Sequence, residues 1–225
     1  MNPSPVLLAV DTSSDACSVA LGVGEQVFER HEVAPRAHTR LVLPMVQALL
    51  DEAGLRLAGI DAFVMGRGPG AFTGVRIAVG VVQGLAFSAT RPVLSVSSLA
   101  IVAQGAIEAG ASHAAAAFDA RMGEIYWGTY VRDADGVAVA RGDEAVLTPE
   151  AAALPETGPW IGVGGGFAAY PEALAQRLEI EHVLPDRMPR AVHALALGRR
   201  AWRNGVAVEA AYAQPVYLRD RVVRS

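Results

Sequence analysis

Two stretches of this chain combine residue types and spacings able to do chemistry. The first is Asp11-Thr12-Ser13, a carboxylate and two hydroxyls directly after the apolar run at residues 6–10. Such a trio can cradle a nucleotide phosphate or its metal ion, or it can close a hairpin as an Asx or Ser/Thr turn. The second is Gly66-Arg67-Gly68-Pro69-Gly70-Ala71-Phe72-Thr73-Gly74-Val75-Arg76. A strand, a backbone that needs glycine freedom and a helix N-terminus follow one another there, the layout that turns main-chain N–H groups toward an anion. The segment lacks the lysine and following hydroxyl of a P-loop. Gly68, Gly70 and Gly74 therefore either touch a nucleotide or only let the helix pack closely. A third group, Asp119, Arg121 and Glu124, offers a carboxylate pair oriented by an arginine, or a structural ion pair. The histidines, His31, His38, His113, His182 and His193, show no close pairing at ligand spacing, so no metal centre is legible.

Positioning these groups requires a definite order of elements. Residues 6–10, 17–23 and 26–33 are short apolar or alternating runs joined by turn-formers, which predicts an antiparallel meander. A helix over residues 39–53 follows, ended by Gly54. Next come a strand at 62–65, the glycine turn, a helix over 72–89, a strand at 93–96 and a helix over 98–109. Three strands followed by helix, strand, helix, strand and helix is the order of a ribonuclease-H-like α/β unit.

The second half begins in the same way. Residues 9–22, from Ala9 through Asp11 and Cys17 to Gly22, lie without gaps over residues 117–130, from Ala117 through Asp119 and Ile125 to Tyr130. Trp160-Ile161-Gly162-Val163-Gly164-Gly165-Gly166-Phe167 ends a strand in glycines ahead of a helix, as the first-half turn does. Two related halves meeting near residues 104–113 are expected: a lobe over 1–108 and a shorter one over 109–225, whose final helix and tail can pack back on the first. Chance similarity between two strand-turn-strand units is the alternative.

Composition narrows the function classes. With 225 residues, 52% of them apolar, the chain has ample material for a core. A formal charge of −4 and a pI near 5.7 argue against a stand-alone nucleic-acid binder, so a nucleic acid would be reached through a partner. The single cysteine, Cys17, excludes an internal disulfide, suits a reducing cytosol and is expected to be inert in a strand. Met1-Asn2-Pro3-Ser4-Pro5 has no positive n-region and the apolar run stops at Asp11, which predicts neither a secretory signal nor a membrane span. Arg199, Arg200, Arg203, Arg219, Arg221 and Arg224 read as a solvated helix face and tail, or as a contact for nucleic acid or an acidic neighbour.

Two helices carry more apolar residues than one stripe needs. Within residues 72–87, Val75, Ile77, Ala78, Val79, Val81, Val82, Leu85 and Ala86 leave only Thr73, Arg76 and Gln83 polar. Residues 41–50 repeat the pattern with Leu41, Val42, Leu43, Met45, Val46, Leu49 and Leu50. Such helices can bury one face on their own sheet and present the other, on the order of several hundred Å², to another subunit. The expected interface comprises Leu41, Met45, Leu49, Thr73, Val75, Arg76, Ile77, Val81 and Leu85. The competing reading is a central helix enclosed by its own chain.

Two halves, each with an aspartate at its first hairpin and a glycine turn, are similar to the sugar-kinase, actin and Hsp70 architecture. Within that class the stretches Ala9-Val10-Asp11-Thr12-Ser13, Gly68-Pro69-Gly70-Ala71-Phe72-Thr73-Gly74-Val75-Arg76, Asp119-Ala120-Arg121-Met122-Gly123-Glu124-Ile125-Tyr126 and Pro215-Val216-Tyr217-Leu218-Arg219 resemble the TsaB family of tRNA threonylcarbamoyladenosine biosynthesis proteins. This YeaZ-like family is a paralogue of TsaD in the Kae/TsaD superfamily. The resemblance spans almost the whole chain, and the glycine stretch is its most specific part.

The resemblance implies two ribonuclease-H-like lobes, the second smaller, and a cytoplasmic, non-catalytic scaffold without a membrane. In the implied pathway a separate enzyme makes threonylcarbamoyl-adenylate from threonine, bicarbonate and ATP. TsaD transfers the group to tRNA, this chain holds TsaD in a competent arrangement, and TsaE docks on that pair. A homodimer is implied for the isolated chain. TsaD's histidine-x-x-x-histidine metal ligands fall here on Ser98 and Val102, a feeble ligand and no ligand at all. No catalytic or metal residue is therefore expected. ATP or ADP at an interface remains open, with Asp11, Thr12, Ser13, Gly68 and Gly70 as nucleotide candidates. An ATP-dependent kinase or nucleotide hydrolase is the alternative, which micromolar ATP binding by the isolated chain would favour. A metalloprotease would need a zinc-ligand set.

Overall fold

The apolar runs form the strands of two mixed sheets in a computed structural model that describes residues 4–219. Met1, Asn2 and Pro3, and Arg221 and Arg224 of the arginine-rich C-terminal region, lie outside the described residues. The strands are β1 (Leu7–Asp11), β2 (Ala16–Val23), β3 (Gln26–Val33), β4 (Ala62–Gly66), β5 (Val93–Val96), β6 (His113–Arg121), β7 (Glu124–Arg132), β8 (Ala138–Ala140), β9 (Ala145–Leu147), β10 (Trp160–Val163) and β11 (His182–Leu184). The helices are α1 (His38–Glu52), α2 (Phe72–Ala89), α3 (Ser98–Glu108), α4 (Gly166–Ala169) and α5 (Ala191–Arg203). The chain divides into two compact units. One runs to Ile101 and is rejoined by Pro189–Pro215; the other is Val102–Met188 with residues 216–219.

In the first unit the sheet order is β3-β2-β1-β4-β5, with β1 antiparallel to β2 and parallel to β4. Every residue of β1 and β4 is buried, as expected for parallel strands covered on both faces. Alternation assigns the two faces. Leu8, Val10, Val19, Leu21, Phe63 and Met65 join Val42, Val46 and Leu49 of α1 and Val75, Val79 and Val82 of α2 in one apolar cluster. On the other face α5 packs against β1, β2, β4 and β5. It approaches so closely that a Cβ on Gly198 would stand 2.4 Å from a Val64 methyl.

The second unit repeats the arrangement at smaller scale. Its sheet order is β11-β10-β6-β7-β8, with β9 also on β7. Counted from the meander side, and with β9 left aside, both sheets run third, second, first, fourth, fifth, with the last two strands joined in parallel. The α/β class and paired ribonuclease-H-like units expected from sequence are thus present in the two sheets. Ala115, Ala117, Ile125, Trp127, Trp160, Phe167 and Leu174 form the smaller core.

Candidate functional site

The end of β1 meets the loop after β4, and the contact is made largely by backbone. Asp11 and Thr12 are fully buried and Ser13 nearly so. The Asp11 carboxylate accepts from the Ser13 amide at 2.9 Å and the Ser13 hydroxyl at 2.7 Å through Oδ1, and from the Ser98 hydroxyl at 2.9 Å through Oδ2. Thr12 donates its hydroxyl to the Gly74 carbonyl at 2.7 Å, and the Ala71 amide donates to the Ser13 carbonyl at 2.7 Å. The Ser98 amide donates to the Gly68 carbonyl at 2.9 Å. His38 Nε2 lies 2.9 Å from the Ser14 carbonyl. Asp11, Thr12, Ser13, Gly68, Gly70 and Gly74 therefore come together. Their polar atoms bond mainly to one another.

The glycines are explained by this packing. An added Cβ would lie 2.0 Å from Asp11 Oδ2 at Gly66, 2.3 Å from the Ser13 carbonyl oxygen at Gly70 and 2.0 Å from the Thr12 carbonyl oxygen at Gly74. At Gly68 the constraint is conformational, with φ at +87°. Close packing accounts for Gly66, Gly70 and Gly74, and backbone conformation for Gly68. Gly66 and Ser98 belong to the cluster although neither is among the nucleotide candidates. Gly66 already stood in the glycine run, whereas nothing local marks Ser98 as a neighbour of Asp11.

Burial is the largest influence on the Asp11 carboxyl and pushes its pKa up; the Ser13 and Ser98 hydrogen bonds and nearby His38 oppose that shift. A carboxyl with a raised folded-state pKa contributes stability below its unfolded value and loses it as pH climbs through the folded one. Wild-type stability is therefore expected to fall, relative to Asp11→Asn, as pH rises above about 4. Urea midpoints for the two proteins between pH 4 and 8 measure this, and parallel profiles would refute it. The same physical effect acts on Cys17, which is free and buried. Burial first, then Glu32 and Asp11, push its thiol up to about 11, so little thiolate exists at neutral pH.

In the second unit Asp119 and Glu124 each hold an arginine. Asp119 accepts from the Arg121 amide at 2.8 Å and from Arg121 Nη1 at 2.9 Å, while Glu124 pairs with Arg219. This is the structural ion-pair reading. Among the described residues no group of three or more His, Cys, Asp or Glu side chains could hold a metal ion.

The α1 and α2 surfaces separate into two sets. Leu49 is fully buried, Val75 is 3% exposed and Met45 9%, all within the core of their own unit. That corrects the sequence expectation for these three. Met45 and Leu49 lie on the inward stripe of α1 and Val75 on that of α2, so another chain cannot reach them as presented. Leu41, Ile77, Val81 and Leu85 sit half-buried at the margin of the same core. Thr73 and Arg76 are exposed, with the Arg76 guanidinium 3.3 Å from the centroid of the exposed Phe72 ring. Only 33% of α2 is buried, although its length and apolar composition would suffice to cross a bilayer. Thr73, Arg76, Gly80, Gly84, Phe87 and Ser88 fall on its open side at helical spacing. Cβ atoms built on Gly80 and Gly84 meet nothing within 4 Å, and Phe87 and Leu43 of α1 are 80% and 50% exposed.

Comparison with known proteins places this geometry in a family. The model of TsaD, tRNA N6-adenosine threonylcarbamoyltransferase, matches residues 25–192. The Escherichia coli tRNA threonylcarbamoyladenosine biosynthesis protein TsaB is 43% identical, with 96% of this chain and 95% of the relative covered. The chain belongs to the TsaB family. The Haemophilus influenzae TsaB is 37% identical over 96% of this chain and 94% of its own length. The solved structure of YeaZ from Pseudomonas aeruginosa superposes with a TM-score of 0.91 at 51% identity, covering 95% of this chain and all of that one. The aspartate corner, the glycine loop and the α1–α2 face thus belong to a TsaB fold.

Proposed function

We propose that this chain is a cytoplasmic, non-catalytic scaffold of tRNA threonylcarbamoyladenosine formation that binds TsaD and supports TsaE docking on the pair. The observation that carries this reading is the open side of α2, an apolar helix with its inner stripe committed to the core and its outer stripe exposed. Gly80 and Gly84, one turn apart on that side, let a neighbouring helix come close, while Phe72, Phe87 and Leu43 provide apolar area around them. The hydrogen bonding of Asp11 within its own corner supports the non-catalytic part of the reading, because that carboxylate is already engaged by three donors.

The same open side serves self-association in the isolated chain, and tRNA is reached through TsaD. A partner that binds only the active TsaD conformation raises its occupancy by the difference in affinity between states. Reconstitution with TsaD, TsaE, threonylcarbamoyl-adenylate and tRNA tests the proposal. Modification is expected to depend on this chain, and equal modification in its absence would overturn the scaffold role.

A further inference from the structure

The hairpin joining β6 to β7 is held in an unusual backbone conformation. Arg121 pairs with Glu124, so the loop is only Met122 and Gly123, both at positive φ (57° and 76°) as a type I′ turn requires. Arg121 is also left-handed, at φ 63°, beside a register shift between Asp119 and Arg121. Two successive non-glycine residues in that region are unfavourable and persist only where the surroundings enforce them. The tip is outward: the Arg121 side chain is 86% exposed and Met122 59%.

Two sets of contacts enforce the turn. From within, Asp119 accepts from the Arg121 amide and side chain. The other set comes from Arg219, which belongs to the same unit as the hairpin although it lies 95 positions along the chain from Glu124. Its guanidinium pairs with the Glu124 carboxylate, lies 3.5 Å from the Arg121 carbonyl oxygen and reaches within 3.9 Å of the Met122 sulfur. Both members of the pair are mostly sheltered, with side chains 17% and 21% exposed, so salt screens the pair less than a surface ion pair.

We propose that Arg219 is a C-terminal latch, which fixes the left-handed β6–β7 turn while bonded to Glu124 and frees the hairpin tip when that pair opens. The presentation of Arg121 and Met122 then depends on whether the C-terminal segment is fastened. A ligand or partner that competes for either member of the pair would release the tip without unfolding the sheet.

Hydrogen exchange on the full-length protein tests this with Arg219→Ala, Arg219→Lys and Glu124→Gln, the last keeping shape while removing charge. Amides of residues 119–124 are expected to exchange about tenfold faster in Arg219→Ala and Glu124→Gln. Arg219→Lys should fall between, since an ammonium lacks the planar fork that spans carboxylate and carbonyl. Exchange in β1 and β4 should not change, and the Arg219→Ala/Glu124→Gln double variant should exceed neither single variant. Wild-type exchange at the tip in Arg219→Ala would overturn the latch. So would an equal acceleration in both units, which would mean a general loss of stability.

Discussion

Gly74→Ala is expected to lower folding stability by about 3 kcal/mol or more, the largest effect foreseen for a single methyl group in this protein. The new Cβ would stand 2.0 Å from the Thr12 carbonyl oxygen. That oxygen is main chain and cannot swing aside like a side-chain tip. Its peptide neighbours are fixed as well, because Thr12 donates to the Gly74 carbonyl and Ala71 donates to the Ser13 carbonyl. Relief of the overlap must separate α2 from β1. Gly80→Ala is the matched comparison. It lies on the same helix, its Cβ meets nothing within 4 Å, and it exchanges a poor helix former for the best one. Its effect should be neutral or stabilising by up to about 1 kcal/mol. Thermal and denaturant midpoints for the two variants decide the matter, and similar midpoints would show that the close approach does not restrain the loop.

Val81→Asp and Leu85→Asp are each expected to weaken binding to TsaD by about 100-fold or more while leaving the chain folded. Both residues sit at the border between core and open surface, half-buried in the free unit. A partner helix laid across α2 would finish covering them. An aspartate there keeps access to water in the free protein but becomes a buried charge in the complex, at a cost of several kcal/mol. About 2.7 kcal/mol already corresponds to 100-fold in affinity. Titration of TsaD with each variant gives the affinity, and circular dichroism checks the fold. Wild-type affinity in both would remove α2 from the interface.

Local sequence made the elements legible because each rests on short-range chemistry. The glycine turn, the all-apolar strand before it and the helix after it all depend on neighbouring residues. The purpose of the glycines was less legible. Their clashes are with Asp11, Thr12 and Ser13, more than fifty positions away, and no spacing rule shows which carbonyl will lie beneath which Cα. Ser98 illustrates the same limit, as its hydroxyl reaches Asp11 across 87 positions. Composition also could not divide α1 into faces. Leu49 and Leu41 are the same residue two turns apart, yet one is enclosed and the other marginal, because only the sheet beneath sets which stripe is inward. Arg219 read as tail charge for a related reason: its carboxylate partner is 95 positions upstream.

The return of Pro189–Pro215 to the first unit also has a consequence for biosynthesis. The α5 segment that packs against β1, β2, β4 and β5 is missing from the first sheet until residues beyond 190 have left the ribosome. At about 5–20 residues per second, the growing polypeptide spends several seconds with Leu195 and its neighbours missing from a finished apolar surface. Nascent chains halted before that point should be retained by holdase chaperones, whereas chains released after α5 has docked should escape them.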